Sequence, residues 1–394
     1  MRKIILFIFL LTYLVQAQTS SFDYNGYVED LFSTTNSSLN SDGYYDNLLH
    51  ARLNTRWYPN NNITGALELR MRAYYGSTVE NTPNFLDQIK SQHEFTQLDA
   101  VLWNQKMSVG YFQVDRVWLD WNKSNVEVTL GRQRIAWGTS WVWNPTDIFN
   151  PYNVLDFDYQ ERPGVDALRV QYYTGPVSKF ELSVRPGKTK KGWIAAGLWS
   201  TNKWAYDFNL LAGIKEDRWI AGGSWAGNIF GGGFRGEITV SQKPELLKQY
   251  QYNYFLFGGS PLSKFDHPLV SFVLSSDYTF PNSFYIHTEA LYNNDGKTKY
   301  TGLYQQEAST LGMLTAAKWS IYQEFAYDIT PLMRGSIFAL FNPNDKSYVI
   351  VPSLTYSLYT NLDLLLIGLI FEGKPLTEYG NYGQSLFVRL KYSF

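Results

Sequence analysis

Apolar and polar residues alternate with a period of two in many short segments of this chain. In residues 63–75, for example, Leu67 and Leu69 share one face of an extended backbone, whereas Glu68 and Arg70 share the other. This period is typical of β-strands that have one apolar and one polar face. Because the pattern recurs along most of the chain, we predict an all-β fold.

Short turns and longer connections alternate between the predicted strands. The turns are rich in Asn, Pro, Gly and Ser, which favour tight reversals of the backbone. This regularity is typical of an up-and-down antiparallel barrel, since Greek-key connections would not fall on every second link. We count about eighteen strands, with sixteen as the alternative. The predicted turns lie at 59–62, 122–125, 174–177, 201–203, 227–228, 281–283, 329–331 and 360–361, and the longer connections at 33–46, 76–108, 136–164, 186–191, 242–268, 293–315, 342–346 and 372–382.

Charged residues on the polar strand faces indicate what the barrel encloses. An Arg that faces lipid at the middle of a bilayer costs about 2–4 kcal/mol, so several charges on one strand face must contact water instead. We therefore predict a transmembrane barrel with a water-filled lumen. Basic residues somewhat outnumber acidic ones on the inferred inner faces, which predicts a weak preference for anions. The residues predicted to line the lumen wall are Arg52, Arg56, Glu68, Arg70 and Arg72.

The composition agrees with a barrel. Aromatic residues make up 17% of the 394 residues, yet the mean hydropathy is −0.27. No apolar stretch is long enough for a spanning helix, whereas barrels combine one lipid-facing side per strand with aromatic residues at both interfaces. The absence of Cys excludes disulfides and thiolate metal sites, and the net charge of −1 excludes a strongly basic nucleic-acid surface. We predict no cofactor, no metal site and no nucleic-acid partner.

The first residues have the order of a secretory signal. Arg2 and Lys3 precede an apolar run from Ile4 to Val15, and small Ala17 follows. A run this short is typical of a signal peptide rather than a membrane anchor. We predict a signal peptide at 1–17, a single barrel domain at 18–394 and localisation in the bacterial outer membrane.

The last segment, 385–394, alternates strictly. Leu386, Leu390, Tyr392 and Phe394 share one face. This segment resembles the closing strand of bacterial outer-membrane barrels, which ends on an aromatic residue and is read by the barrel assembly machinery. The resemblance implies that Tyr392 and Phe394 form an assembly signal, and that lipid and the assembly machinery are partners. A homo-oligomer is left open.

One long connection combines aromatic and charged residues. Trp137, Trp141, Trp143 and Phe149 would be costly to expose to water, so we expect this connection, at the extracellular end, to fold into the lumen. There it would narrow the pore. The residues predicted to form the constriction and set selectivity are Arg132, Arg134, Trp137, Trp141, Trp143, Asp147, Asp156, Asp158, Arg162 and Arg169.

Several motifs of this region resemble a known family. They are Gly-Arg-Gln at 131–133, Trp-Gly at 137–138, Asn-Pro-Thr-Asp at 144–147 and Gly-Val-Asp-Ala-Leu-Arg at 164–169, with Val-Pro-Ser-Leu-Thr-Tyr-Ser-Leu at 351–358 near the end. Together they look like the alginate-export-type and uncharacterised porin-like barrels of Gram-negative bacteria. The resemblance implies passive passage of a small polar solute, without naming the solute.

Alternative functions remain open at this point. The charges of the constriction either create a transverse field for solutes or pin the connection to the wall, and both roles are compatible. The Trp rings either stack on saccharides or pack beneath the connection. A plugged barrel in an export system is a second function, and an enzyme a third. The enzyme is least favoured because His50, His93, His267 and His287 lack a nucleophile elbow or metal-ligand spacing.

Overall fold

A computed structural model describes residues 21–37, 40–90, 94–150, 155–158, 161–189, 192–244, 267–380 and 382–394. The predicted signal peptide therefore lies outside the described residues. In the described part, nineteen β-strands join into one antiparallel sheet. The strands are β1 (Phe22–Ser37), β2 (Asn40–Asn60), β3 (Ile63–Gly76), β4 (Asp99–Gln105), β5 (Ser108–Lys123), β6 (Val126–Gln133), β7 (Val165–Gly175), β8 (Ser178–Arg185), β9 (Ile194–Lys203), β10 (Tyr206–Lys215), β11 (Arg218–Ile229), β12 (Gly232–Ser241), β13 (Leu269–Thr279), β14 (Phe284–Asn293), β15 (Trp319–Thr330), β16 (Met333–Asn342), β17 (Ser347–Tyr359), β18 (Leu362–Glu372) and β19 (Gln384–Ser393).

The sheet closes into a barrel of eighteen strands. β1 pairs with β19, and β3 pairs directly with β5. The extra strand β4 pairs with β5 along residues 108–113, above the stretch 117–123 where β6 pairs. The predicted count of eighteen is confirmed and the alternative of sixteen is wrong. β4 was not predicted because the connection 76–108 was interpreted as lacking strands.

Within the described residues, helical structure is confined to the longer connections. It consists of α1 (Ser77–Asn81), α2 (Phe85–Ile89), a 3-10 turn (Thr301–Tyr304) and α3 (Gln305–Leu311). Across the described ranges, no helix has the length and apolar character needed to cross a membrane.

The predicted register is confirmed on both faces. On β3, Leu67 is 39% exposed whereas the adjacent Glu68 is 2% exposed. Since the sheet is closed, the buried charged face is the inner one and the exposed apolar face is the outer one. β19 keeps the same alternation, with Leu386 and Leu390 exposed and Arg389 buried.

Three predicted connections are placed differently in the structure. The turn predicted at 201–203 lies at Trp204 and Ala205, which both have positive φ, whereas residues 201–203 are the end of β9. The turn predicted at 227–228 lies at Phe230 and Gly231, which both have positive φ. Gly227 is instead required within β11 because a Cβ there would lie 2.3 Å from the ring of Tyr206. The connection predicted at 33–46 is mostly strand, since polar residues such as Thr35 continue the ladder and bond across to Ser385.

Phe394 pairs with β1 at the seam where the barrel closes. Its backbone N–H donates to the carbonyl oxygen of Gly26 at 2.9 Å and its carbonyl oxygen accepts from the Gly26 N–H at 3.0 Å, and its ring lies over Gly26. We expect Phe394→Ala to lower the folded, heat-modifiable fraction in membranes, because the ring packs at the β1–β19 seam. Tyr359→Ala, which removes an exposed ring at a turn, is the control. Equal folded fractions for both variants would contradict the predicted assembly role of Phe394.

The two strand faces are testable by labelling. In lipid, Cys at Arg56 should react with a small polar thiol reagent, because this side chain is on the inner face and is 30% exposed. Cys at Leu67, on the outer face, should be protected by the acyl chains. The reverse pattern would mean that the register is shifted by one residue.

Candidate functional site

The residues 134–150, here called the anchored segment, leave the end of β6 and are largely buried. Trp137 packs edge-on against Phe149, with ring centroids 5.1 Å apart. These two rings belong to an apolar cluster with residues of β7, β9, β10 and β11. Val142 and Trp143 belong to a second cluster with residues of β13 to β18. The anchored segment therefore contacts much of the barrel wall between β7 and β18.

Glu237 of β12 binds the anchored segment at residues 139–140 and again at residue 146. Its carboxylate accepts from the backbone N–H of Thr139 at 2.6 Å, of Ser140 at 2.7 Å and of Thr146 at 3.1 Å. The Thr146 hydroxyl also donates to it. Because Glu237 is fully buried, these donors replace the water that the charge would otherwise require.

Glu289 and Glu181 hold the segment at two further points. Glu289 of β14 accepts from the Trp143 N–H at 2.7 Å and, at longer distances, from those of the two preceding residues. Glu181 of β8 accepts from the Trp137 indole N–H at 2.8 Å and pairs with Arg169 at 2.8 Å. The three carboxylates project from three separate strands, so they fix the segment along its length.

Asp147 closes the segment on itself. Its carboxylate accepts from the backbone N–H of Trp137 at 2.6 Å and of Gly138 at 3.2 Å, and it forms an ion pair with Arg162. Gly138 is needed here because a Cβ would lie 2.1 Å from the Asn144 side chain. The Asn-Pro-Thr-Asp motif is thus a turn whose acid caps the start of the same segment.

The inner face of β2, β3 and β5 carries the basic wall, defined as Arg52, Arg56, Arg70, Arg72 and Arg116. A bulge in β5 at Asp115 brings this acid within 2.7 Å of Arg52. Glu68 pairs with Arg52, with Arg56 at 2.7 Å and with Arg116 at 3.5 Å. One carboxylate is thus shared among three guanidinium groups.

Asp158 joins the connection after the anchored segment to the basic wall. It accepts from Arg70 at 2.8 Å and contacts the His50 Nδ1 at 3.0 Å. Burial tends to raise the pKa of Asp158, but the His50 hydrogen bond and the Arg70 and Arg72 charges outweigh it and lower the pKa to about 2. The folded pKa is depressed, so the contact contributes stability above the unfolded carboxyl range and loses it only as pH falls toward about 2.

Glu29, His50 and Asp158 offer three ligand atoms within 4.8 Å of one another. Arg70 donates to the His50 Nε2 at 3.0 Å, which leaves Nδ1 as the protonated nitrogen facing the two carboxylates. Arg389 also lies 3.8 Å from Glu29. These neighbours already supply the positive charge, so the chemistry of the group fits an ion-pair cluster better than a cation site.

The structure separates the predicted constriction residues into two sets. Arg132 is buried and forms an ion pair with Asp166 at 2.9 Å, and it donates to the Val114 carbonyl oxygen at 3.1 Å. It therefore links β6 to β7 and β5 within the barrel wall. In contrast, Arg134 is exposed, and Trp141 is 58% exposed with Arg235 over its ring. Partial desolvation and the nearby Arg116 charge lower the pKa of Arg134, and partial desolvation and the Arg134 charge lower the pKa of Arg162.

The remaining predicted residues follow the same division. Trp137, Trp143 and Asp147 are buried in the anchored segment, and Arg169 is paired, whereas Asp156 is exposed. The sequence analysis did not identify Glu181, Glu237 and Glu289 as anchors. Glu289 is the only acid of β14, and an isolated inward acid was the available signal.

No family model and no curated protein matches the chain in sequence. Solved structures match its fold. Pseudomonas aeruginosa OccK5 (OpdH) is 8% identical over 95% of this chain and 98% of its own, with a TM-score of 0.61. Acinetobacter baumannii OccAB4 is 9% identical over 96% and 99%, with a TM-score of 0.57. The outer membrane protein OpdK from Pseudomonas aeruginosa is 9% identical over 95% and 99%, with a TM-score of 0.55. These similarities establish the closed antiparallel barrel.

The anchoring role of Glu237 is testable. Glu237→Gln replaces one acceptor oxygen by a donor that faces backbone N–H groups, so we expect the free energy of unfolding to fall by about 3 kcal/mol. The measurement is the midpoint of denaturant unfolding in detergent. Glu372→Gln, at an exposed strand end, is the matched control. Equal midpoints for the two variants would contradict the anchoring role.

Proposed function

We propose that this protein is an outer-membrane channel for passive diffusion of small polar solutes, with a weak preference for anions. The observation that carries the proposal is the asymmetry of charge inside the barrel. The acids of β8, β12 and β14 are occupied by backbone and indole N–H donors, whereas the basic wall shares few carboxylates among its guanidinium groups. The remaining positive potential favours anions.

The outer face supports a membrane location. Exposed aromatic residues occur at the end of the barrel that carries the short turns, here called the turn end, and at the opposite end. Aromatic residues are enriched at the two interfaces of a bilayer, so this distribution is the one expected for a membrane barrel. Apolar residues such as Leu119, Leu210 and Ile337 are exposed between them. The exposed rings at the turn end include Trp57, Trp121, Tyr172, Trp204, Tyr327, Tyr359 and Tyr392, and those at the opposite end include Tyr45, Tyr75, Trp193, Trp219, Trp319 and Tyr382.

The proposal includes a constriction. The anchored segment contacts strands from β7 to β18, and Asp158 approaches the wall on the other side. We infer that the open path runs between the segment and the basic wall, past Arg56 and Arg134. Recognition of Phe394 by assembly machinery belongs to the same proposal. A homo-oligomer and the narrower alginate-export-type assignment stay predictions.

A plugged barrel that serves in an export system is the second candidate. It is favoured by the two apolar clusters through which the anchored segment fills one side of the interior. Conductance in a planar bilayer separates the two. A steady open conductance supports the channel, and silence of folded protein supports the plug.

Selectivity provides a sharper test of the channel. We expect Arg56→Ala combined with Arg134→Ala to reduce the anion-to-cation permeability ratio roughly twofold at low salt, where charges are least screened. The reversal potential in a salt gradient measures this ratio. Lys203→Ala, at the exposed end of β9, is the control. An unchanged ratio in a folded, conducting double variant would place the selective charges elsewhere.

Constriction by the anchored segment has its own test. Deleting residues 139–145 removes donors to Glu237 and Glu289, and we expect a larger single-channel conductance because the segment no longer narrows the lumen. Combining the deletion with Glu237→Gln and Glu289→Gln avoids leaving unpaired buried charges. Wild-type conductance of the folded variant would contradict the constriction.

A further inference from the structure

A cavity of about 670 Å³ lies between the anchored segment, α3 and the strand ends opposite the turns. Its apolar lining includes Trp143, Leu269 and Met313, and its polar lining includes Thr239 and Gln305. The volume is in the range of small-molecule sites, and the wall combines apolar side chains with polar groups, as such sites do.

One end of the cavity is cationic. Arg218 of β11 is 4% exposed, and its Nη1 donates to the carbonyl oxygen of Leu311 at 2.6 Å. Its Nε is buried without a hydrogen-bond acceptor in the described part of the chain. Lys215, at the end of β10, also lines the cavity, and no hydrogen bond or ion pair to a described residue is formed by its amine.

The other end is acidic. Glu378 is buried in the connection between β18 and β19, where its carboxylate accepts from the Asn342 amide at 2.9 Å and from Gln305. No cation is paired with it among the described residues. Burial raises the pKa of Glu378 to about 7, with Asp345 of the β16–β17 turn adding to the rise and the Asn342 and Gln305 hydrogen bonds opposing it.

Helix α3 sets the spacing between these charges. Gln305, which bonds Glu378, is its first residue, and Leu311, which bonds Arg218, is its last. Seven helical residues span about 10 Å. An extended tripeptide carries its terminal amine and carboxylate roughly 7–10 Å apart. The two ends of α3, which are bonded to Glu378 and Arg218, are therefore about as far apart as the charged ends of a short zwitterionic chain.

We propose that this cavity binds a zwitterionic, peptide-sized solute whose carboxylate faces Arg218 and Lys215 and whose amine faces Glu378. The inference deepens the proposed channel function and rests on it only for the route by which the solute arrives. A purely structural role, in which Arg218 and Glu378 cap α3, accounts for their bonds to the helix. It does not account for Lys215, which supplies a second cation without any described partner.

The test is isothermal titration calorimetry on the purified, folded protein in detergent at pH 7, where the terminal amine of a peptide is still mostly protonated. The probe is the tripeptide alanyl-leucyl-alanine, compared with its N-acetylated form, which lacks the amine charge, and its amide form, which lacks the carboxylate. We expect the zwitterion to bind at least about tenfold more tightly than either blocked form, a difference that corresponds to about 1.4 kcal/mol per charge. Equal affinities, or no binding by any form, would overturn the proposal.

Variants assign each charge to its end of the cavity. Lys215→Gln should reduce the advantage of the free carboxylate while keeping that of the amine, because Arg218 remains, and Glu378→Gln should abolish the advantage of the amine while keeping that of the carboxylate. Lys203→Gln and Glu372→Gln, both at exposed positions, are the matched controls and should bind as wild type. Lys215→Gln removes no hydrogen bond or ion pair with a described residue. It is therefore preferred to a substitution of Arg218, which would remove the bond to the Leu311 carbonyl oxygen and could prevent folding. Identical losses for all three peptides would indicate a change of packing and contradict the assignment.

The pH dependence gives a second readout. Because the pKa of Glu378 is raised to about 7, the carboxyl is almost entirely neutral at pH 5.5 and about half charged at pH 7, whereas the terminal amine of the peptide stays protonated throughout. Affinity for the zwitterion should therefore rise roughly tenfold between pH 5.5 and pH 7, and Glu378→Gln should remove the rise. Binding is measured without conduction, so a protein that conducts but does not bind contradicts only this inference. One that binds but does not conduct contradicts the channel.

Discussion

Buried backbone N–H groups need acceptors, and this requirement organises the interior of the barrel. The anchored segment has no strand partner, so its donors would be unpaired among apolar rings such as Trp137 and Trp143 without another source of acceptors. Glu237 and Glu289 supply those acceptors from the wall. Each carboxylate is in turn stable in a buried place only because several donors converge on it. Segment and wall therefore stabilise each other.

The same bonds determine the electrostatics of the interior. An acid that is surrounded by backbone donors has much of its field compensated at short range, whereas Arg134 and Arg56 retain exposed side chains. Acidic and basic residues are therefore nearly equal in number but contribute unequally to the electrostatic potential of the lumen. This is the physical reason for proposing an anion preference in a chain whose net charge is only −1.

The connections opposite the turns form a second layer of organisation. The first residue of α3, Gln305, bonds Glu378, and the carbonyl oxygen of its last residue, Leu311, accepts from Arg218. The helix borders a cavity whose other wall is the anchored segment. Fixing the segment with glutamates therefore also fixes one side of this cavity. The proposed constriction and the cavity therefore depend on the same set of anchoring bonds.

The sequence by itself determined the strand type and the inward face of the charged strand residues, because a period of two is a local property of the chain. It favoured eighteen strands over sixteen, and closure of the sheet decided between them. It also indicated that the Trp-rich connection is buried, since exposed rings are costly. It did not determine which wall residues hold that connection. Glu237 and Thr139 are far apart in sequence and meet only because closure of the sheet brings β12 opposite the end of β6. The pinned state of Arg132, the added strand β4 and the opposite charges around α3 likewise arise from long-range contacts, which only the tertiary structure decides.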